Sequence, residues 1–429
     1  MKQQEKGAGK VTNIAGALTE RGFVYDAVGD PQHFLSEKRT VYLGMDPTAE
    51  SLQVGNLVPI FLLKHLADAG HTVIFLVGEG TGMIGDPRAS GERVLLDSKT
   101  VAKNTKAIQK QLTTIFGKKK YAIVNNATWL AKLSLVDFLR DTAKHFTVNQ
   151  LIKREIIKKR LDDENDSISF TEFSYSLLQG YDFWHLNKTK GVDMQIGGSD
   201  QWANLLSGVE LIRRREGKTA YVLSNPLIID KKTGKKFGKS EGNAIWLDPH
   251  QTSSYAFYQF WLNVSDEGVE EYLKIFTFLP LQDIARIMVL HTEKPQERGA
   301  QKRLAFEITK MIHEEKNAES AARVSAVLFG EGALASLSKG DFAYLQKEVP
   351  MTKIIDGTAV IDALVALELA SSKGEARRLI EQKGISLNEV AVTDVQAVLS
   401  AGDFLNGIAQ VRRGRRVGLL AREGRKGKK

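Results

Sequence analysis

The chain has 429 residues, 42% hydrophobic and 26% charged, the make-up of an ordinary soluble protein of two or three domains. It has no cysteine and eight scattered histidines, which excludes a disulfide framework and any thiolate or HExxH metal site, and no apolar run reaches the roughly 18 residues of a membrane span. A formal charge of +9 and a pI near 9.3 favour an anionic partner, nucleic acid first, if the charge proves clustered rather than spread for solubility.

The opening residues, MKQQEKGAGK, lack the apolar core of a secretory signal, so a cytoplasmic location is expected. Residues 1–40 read as an introductory helical segment with a polar start. Val41–Leu43 is a short apolar strand ending at Gly44. The polar turn Asp46-Pro47-Thr48 and the stretch Ser51–Asn56 then lead into an apolar helix, Leu57–Ala69. Strand, loop and helix in that order predict the first crossover of an open α/β sheet, whose ligands bind at the carboxyl ends of the strands. Gly55 at the helix start lets a ligand approach the backbone, and the unpaired N–H groups beside it suit a phosphate.

Thr72–Val77 is a buried β-branched strand and makes the parallel unit explicit. Gly80–Gly85 matches the dinucleotide pattern GxGxxG, but Asp86-Pro87 follows directly where that pattern needs a helix, so the match is set aside. Arg88–Arg93 reads as a mobile basic loop. Ile108, Leu112 and Ile115 recur at helical spacing within 99–116, and Ala122–Val124 is a third strand. Residues 129–160 are expected to be helical, with Leu135, Phe138 and Leu139 on one stripe and a basic end that is most simply a solvated face.

On the predicted helix Phe170–Gly191, Tyr175, Gln179 and Asp182 share a face. Phe173, Leu177, Leu178, Phe183 and Trp184 leave little of this helix to water, so its polar stripe calls for a ligand or partner. Met194–Asn204 reads as a strand end, a Gly-Gly turn and a helix capped by Ser199 or Asp200. Capping alone explains either residue, although Asp200 is also placed to bond a ribose. Tyr221–Ile229 is a last strand interrupted by Pro226. Lys231–Gly242 packs five Lys and three Gly into twelve residues, a cationic loop suited to closing on a triphosphate. It is not a P-loop, because Gly234 and Gly238 are one position too close.

Residues 251–335 are helical by periodicity, and 340–357 read as a linker containing Pro350. Beyond it come an apolar helix at Val360–Leu369, a second helix opened by Ser371–Ile380, and a short strand at Gly384–Asn388. A basic ribbon follows at Gln410–Val417. From Arg412 to Lys429 there are nine Lys or Arg against the single Glu423, a cluster that points to phosphate contacts rather than solubility.

Four stretches together resemble the bacterial-type tyrosyl-tRNA synthetases, class I enzymes, over nearly the full length. They are YLGMDPTAESLQVGN at Tyr42–Asn56, TGMIGDP at Thr81–Pro87, FTEFSYSLLQGYD at Phe170–Asp182 and QIGGSDQWAN at Gln195–Asn204. KFGKS at Lys236–Ser240 takes the place of the KMSKS signature, and SKGEARRLI looks like an S4-type RNA-binding helix pair. The resemblance implies a Rossmann-like parallel-sheet catalytic domain over 1–245 with a dimer-interface insertion near 129–160. It further implies an α-helical domain over 246–340, a linker over 341–357 and a small α+β S4-like domain over 358–429.

It also implies roles. Tyr42 and Asp182 hold the substrate phenol, and Tyr175, Gln179 and Asp86 its ammonium, with Thr81 and Gln201 lining the same pocket. Gly44, Asp46, Gly55, Asn56, Gly198, Asp200 and Lys239 meet ATP, which enters as substrate with Mg2+. Thr48, Gln53, Lys236, Lys239, Arg88 and Arg93 surround the phosphates. Lys373, Arg377, Arg378, Arg412, Arg413, Arg415 and Arg416 contact tRNA(Tyr). No resident metal and no membrane contact are expected, and the chain is expected to form a homodimer. One departure stands out: the HIGH signature reads Gln53-Val54-Gly55-Asn56, with neutral amide donors in place of both histidines. Two other readings are a tryptophanyl enzyme of the same fold and an RNA-binding paralogue that no longer aminoacylates.

Overall fold

Alternating β-branched strands and apolar helices build a six-stranded sheet in the first half of the chain. The computed structural model describes residues 13–87, 96–117, 121–231, 233–237, 239–240, 243–329, 331–349, 351–414 and 416–423. The strands are β1 (Asp26–Val28), β2 (Thr40–Met45), β3 (Thr72–Val77), β4 (Ala122–Asn125), β5 (Met194–Gly198) and β6 (Tyr221–Asn225). Their order is β1-β6-β5-β2-β3-β4. Every neighbouring pair is parallel except β1 with β6. The chain runs outward from β2 to β4, then returns to lay β5 on the other side of β2. The sheet order therefore reverses between β2 and β5, where open α/β sheets place their ligands.

The helix Leu57–Asp68 is apolar nearly all round because it fills the core, burying Leu57, Val58, Ile60, Phe61, Leu62, Leu63 and Leu66. The helix Ser98–Phe116 buries only one stripe and starts on Asp97, whose carboxylate accepts from the backbone of Lys99 and Thr100. The helix Phe170–Lys190 starts on the Ser169 hydroxyl and stops at Gly191, which takes the left-handed conformation (φ 66°). It packs against the helix Trp202–Glu216.

Several sequence expectations need correction. The introductory segment is not simply helical, since β1 lies between the helices Ile14–Arg21 and Pro31–Phe34 and pairs antiparallel with β6. The last strand stops at Asn225, before the proline that cannot donate to the ladder. Residues 129–160 do not form one helix. They break into Ala127–Leu130, Leu135–Asp141, Val148–Leu151 and Glu155–Leu161. Ser134, Thr147 and Arg154 take extended backbone at the starts of the later pieces (ψ 134°, 138° and 136°), which ends each helical run.

The chain divides into two compact units, Met1–Gln251 with Val264–Ala300, and Thr252–Asn263 with Gln301–Lys429. The stretch expected as one helical domain is built of helices but shared between them. Asp266–Phe276 and Leu281–Glu293 belong to the first unit, Ser254–Leu262 and Glu315–Phe329 to the second. The expected linker is also structured. It carries the helix Lys339–Glu348, opened by a reciprocal Ser338–Asp341 cap, and the strand β9 (Thr352–Ile354). In the first unit a two-residue hairpin pairs β7 (Lys239–Ser240) with β8 (Asn243–Ala244). In the second, β10 (Ile385–Leu387), β11 (Val390–Ala391), β12 (Ile408–Arg413) and β13 (Arg416–Arg422) join β9 in the order β11-β10-β12-β13-β9. β9 runs parallel to β13, so the supposed linker is an edge strand of the C-terminal sheet. The helices Val360–Ala366 and Lys373–Glu381 close over that sheet around Val360, Leu364, Ile380, Val411 and Leu420.

Candidate active site

The carboxyl ends of β2, β5 and β6 open into a cavity of about 670 Å³ within the first unit. β2 supplies Tyr42 through Met45, and the turn after it Asp46 and Thr48. β5 brings Gln195 to Gly198, and β6 ends in Asn225. Every unit-one residue singled out from the sequence whose side chain is described lines this cavity: Tyr42, Gly44, Asp46, Thr48, Gln53, Gly55, Asn56, Thr81, Asp86, Tyr175, Gln179, Asp182, Gly198, Asp200, Gln201 and Lys236. Arg88, Arg93 and Arg415 lie outside the described residues, and for Lys239 only the backbone is described.

The floor is polar and buried. Asp182 is 2% exposed, and its carboxylate accepts from Asn126 Nδ2 and Trp129 Nε1 at 2.9 and 2.7 Å. Burial outweighs those two bonds and pushes the Asp182 carboxyl up to about 7. Tyr42 is 1% exposed, and its hydroxyl has no partner among the described residues. Burial, with the nearby Asp182 charge, raises its phenol well above the ordinary range, so it stays a neutral donor. An unpaired buried hydroxyl beside a carboxylate is what remains when a site is shaped to bond a ligand hydroxyl.

A second cluster sits around Asp46. Tyr175 donates its hydroxyl to Oδ2 at 2.9 Å and Thr81 donates to Oδ1 at 2.7 Å. Asn126 Nδ2 bonds Thr81 Oγ1 at 2.9 Å, linking this cluster to Asp182. Asp46, expected with ATP, thus has both oxygens engaged by residues expected around the amino acid. Gly78 permits this packing, because a Cβ there would overlap both Asp46 Oδ1 and Thr81 Oγ1. Asp86 forms a third cluster. Its oxygens accept from Gln201 Nε2 at 2.8 Å and Asn204 Nδ2 at 3.0 Å.

At the other end of the cavity, the QVGN stretch forms a short 3-10 turn feeding the helix Leu57–Asp68. Asn56 Oδ1 accepts from the Gln53 backbone N–H at 2.8 Å, so the Asn56 carbonyl is used and its NH2 group is the half left to donate. Lys236 reaches Asp200 at 3.5 Å. Phe237, the aromatic of KFGKS, is 5% exposed and packs on Tyr272 and Phe276 with ring centroids 4.4 and 5.6 Å away. It ties the middle of the cationic loop to the helix Asp266–Phe276.

Sequence reasoning missed Asn126, Trp129, Gln195 and Asn225. Only buried polarity could have flagged them, and burial is not readable one residue at a time. The C-terminal arginines were placed too simply. Arg412 Nη2 donates to the Val327 carbonyl at 2.8 Å, capping the end of the helix Glu315–Phe329. Arg413 bonds the Leu369 carbonyl and Glu375, and Arg416 bonds the Glu368 carbonyl. Lys373 pairs with Asp362 at the surface. Arg377 and Arg378 are exposed on their helix.

Residues 36–330 match the family model of class I tRNA synthetases (W and Y), and residues 341–420 that of the tyrosine–tRNA ligase SYY-like C-terminal domain. The tyrosine–tRNA ligase of Roseiflexus castenholzii is 45% identical over 419 residues, 95% of this chain and 98% of its own. That of Bacteroides fragilis is 43% identical over 411 residues, 92% and 95% of the two chains. Among solved structures, the C-terminally truncated mitochondrial tyrosyl-tRNA synthetase of Aspergillus nidulans is similar with a TM-score of 0.67. It is 32% identical, with 75% of this chain and 95% of that one covered.

Proposed function

The chain belongs to the tyrosine–tRNA ligases, class I aminoacyl-tRNA synthetases, and from its activity as a ligase of tyrosine to tRNA with ATP as substrate we propose how its residues divide the work. The tryptophanyl and inactive-paralogue readings lose their ground, because both relatives and the C-terminal match are tyrosine-specific.

The observation that carries the assignment is the floor of the cavity. The unpaired Tyr42 hydroxyl donates to the substrate phenol and Asp182 accepts from it, held in place by Asn126 and Trp129. A site built to bond a hydroxyl rejects the analogue lacking it, because both protein groups would be left buried and unpaired; tyrosyl-tRNA synthetases are themselves the standard example of that discrimination. Tyr175, Gln179 and Asp86 receive the ammonium, with Thr81 and Gln201 beside them. Asp46 orients Tyr175 and Thr81 and sits between amino acid and nucleotide.

ATP enters with its Mg2+ as a substrate complex. Gly44, Gly55, Asn56, Gly198 and Asp200 accommodate the adenosine, and Thr48, Gln53, Lys236, Lys239, Arg88 and Arg93 meet the phosphates. The tyrosine carboxylate oxygen attacks the α-phosphorus in line, the bond to the bridging oxygen breaks and pyrophosphate leaves. The protein supplies alignment and donors for the growing charge, and no nucleophile of its own. Lys236 must leave Asp200 for the ribose to enter, which links nucleotide entry to movement of the cationic loop. The terminal ribose hydroxyl of tRNA then attacks the adenylate carbonyl and AMP leaves. For that RNA, Arg377 and Arg378 with Lys373 are the surface contacts, while Arg412, Arg413 and Arg416 chiefly hold the domain together. The enzyme works as a homodimer in the cytoplasm.

Amino-acid-dependent ATP–pyrophosphate exchange tests the assignment. Tyrosine is expected to stimulate exchange, and tryptophan and phenylalanine are not. Stimulation by phenylalanine comparable to tyrosine would remove the Tyr42–Asp182 assignment.

A further inference from the structure

Arg154 starts the short helix Glu155–Leu161, in the segment that breaks where one long helix was expected. Its guanidinium points inward, donating to Ser207 Oγ at 2.7 Å and to Asn204 Oδ1 at 3.3 Å on the helix Trp202–Glu216. Burial lowers Arg154 to about 10, with the Asp86 charge opposing that shift, so the group remains a cation at neutral pH. A guanidinium can only donate, so Asn204 must present its carbonyl to Arg154 and its NH2 to the other side. That NH2 donates to Asp86 Oδ1 and Gln201 Oε1, both at 3.0 Å. With its own oxygen thus occupied, Gln201 must in turn present its NH2 to Asp86 Oδ2, at 2.8 Å. Every amide in the chain faces the way a donor-only group at its start requires. Both oxygens of Asp86 are pinned as a result, and Asp86 and Gln201 line the cavity.

We infer that Arg154 is a positioning residue for the substrate ammonium, acting through Asn204 and Gln201 on the orientation of the Asp86 carboxylate. This rests on Asp86 as an ammonium acceptor in the reading above. Without the cation, Asn204 can flip its amide at little cost, Gln201 can follow, and Asp86 faces a mixture of donors and acceptors. The effect falls on the part of tyrosine that carries charge, and on neither the phenol nor ATP.

The test uses the full-length enzyme and two ligands, tyrosine and 3-(4-hydroxyphenyl)propionate, which lacks the ammonium. For Arg154→Met, KM for tyrosine in pyrophosphate exchange is expected to rise on the order of tenfold. KM for ATP and the inhibition constant of the deaminated analogue are expected to stay near their parent values. Arg154→Lys, which keeps a donor-only cation, should recover most of the loss. Ser207→Ala, which removes one of Arg154's two bonds to that helix and keeps the one to Asn204, should leave tyrosine binding close to the parent's. If Arg154→Met does not fold, Arg154→Gln, which keeps a polar side chain but loses the donor-only cation, is expected to show the same selective loss. Equal weakening of tyrosine and the deaminated analogue would make Arg154 merely structural and overturn the inference, as would an unchanged KM for tyrosine. Asp86→Asn separates the two levels. If it leaves tyrosine affinity intact, the ammonium assignment itself fails. If it weakens tyrosine while Arg154→Met does not, only the role of Arg154 fails.

Discussion

At the scale of single residues, Asp182 couples recognition to pH. Its carboxyl titrates at about 7 because burial outweighs the bonds from Asn126 and Trp129. The ionised form is the one that accepts from the substrate phenol. Tyrosine affinity is therefore expected to strengthen as pH rises from 6 to 8 and to level above that, as measured by KM for tyrosine across the range. The same shift acts on stability with the opposite sign. The folded-state pKa lies above the ordinary carboxyl value of 3.8, so between about pH 4 and 7 the folded protein holds a proton that the unfolded chain has released. The contribution of Asp182 is fully present below that window and is lost as pH rises through it, by up to about 1.4 kcal/mol per pH unit. Urea melts of the parent and of Asp182→Asn at pH 5 and pH 8 check this: the parent's advantage over the variant should shrink toward pH 8. A pH-independent difference would mean that Asp182 is not the buried titrating group. The sequence showed Asp182 on a crowded helix face with Tyr175 and Gln179. It could not show the two side chains that hold it, which come from 53 and 56 positions upstream and carry no local pattern.

At the scale of elements, strongly periodic stretches were legible and weakly periodic ones were not. β2, β3 and the helix between them follow from apolar runs long enough to read, and so do the helices at 98–116 and 170–190. β1 was missed because three residues at a sheet edge, none of them buried, leave no alternation to detect. The segment from Ala127 to Leu161 was misread for a different reason. Its apolar residues do sit at helical spacing, but several of them face outward. Leu135 and Val136 are 70% and 68% exposed, and Val148 and Leu161 are exposed as well. Apolar side chains at this density on a surface point to a partner rather than to one monomer's core. This exposed apolar face is what supports the homodimer proposed above. Leu135→Glu is expected to shift the protein from dimer to monomer in multi-angle light scattering at micromolar concentration, and to lower its thermal midpoint by whatever the dimer contributes. A parent protein that is already monomeric there would remove this segment as the subunit face.

At the scale of the whole molecule, the two catalytic steps have different structural needs. Every cavity residue lies between Tyr42 and Phe276, in the first unit. The C-terminal sheet and its two helices have a core of their own, from Ile354 to Leu420. Its basic surplus, legible in sequence as a charge cluster, proves to be divided. Among the described residues, Arg412, Arg413 and Arg416 bond carbonyl groups of the same unit, whereas Arg377 and Arg378, on the helix Lys373–Glu381, face solvent. Composition could count those charges but could not separate them, because a capping arginine and an RNA-facing one look alike in a sequence. Removing residues 357–429 is accordingly expected to leave pyrophosphate exchange close to that of the full chain while lowering tRNA charging by roughly a hundredfold or more. That deletion also strips β13 from β9 and Arg412 from the Val327 carbonyl, so a gentler variant is needed beside it. Reversing both exposed charges, Arg377→Glu with Arg378→Glu, keeps the fold's internal bonds. It should lower charging without touching exchange, and should flatten the dependence of charging on salt, because fewer counterions are released when the RNA binds. If exchange and charging fall together in both proteins, the C-terminal sheet supports the catalytic half rather than gripping RNA. A loss of charging with an unchanged salt slope would place the phosphate contacts on other residues.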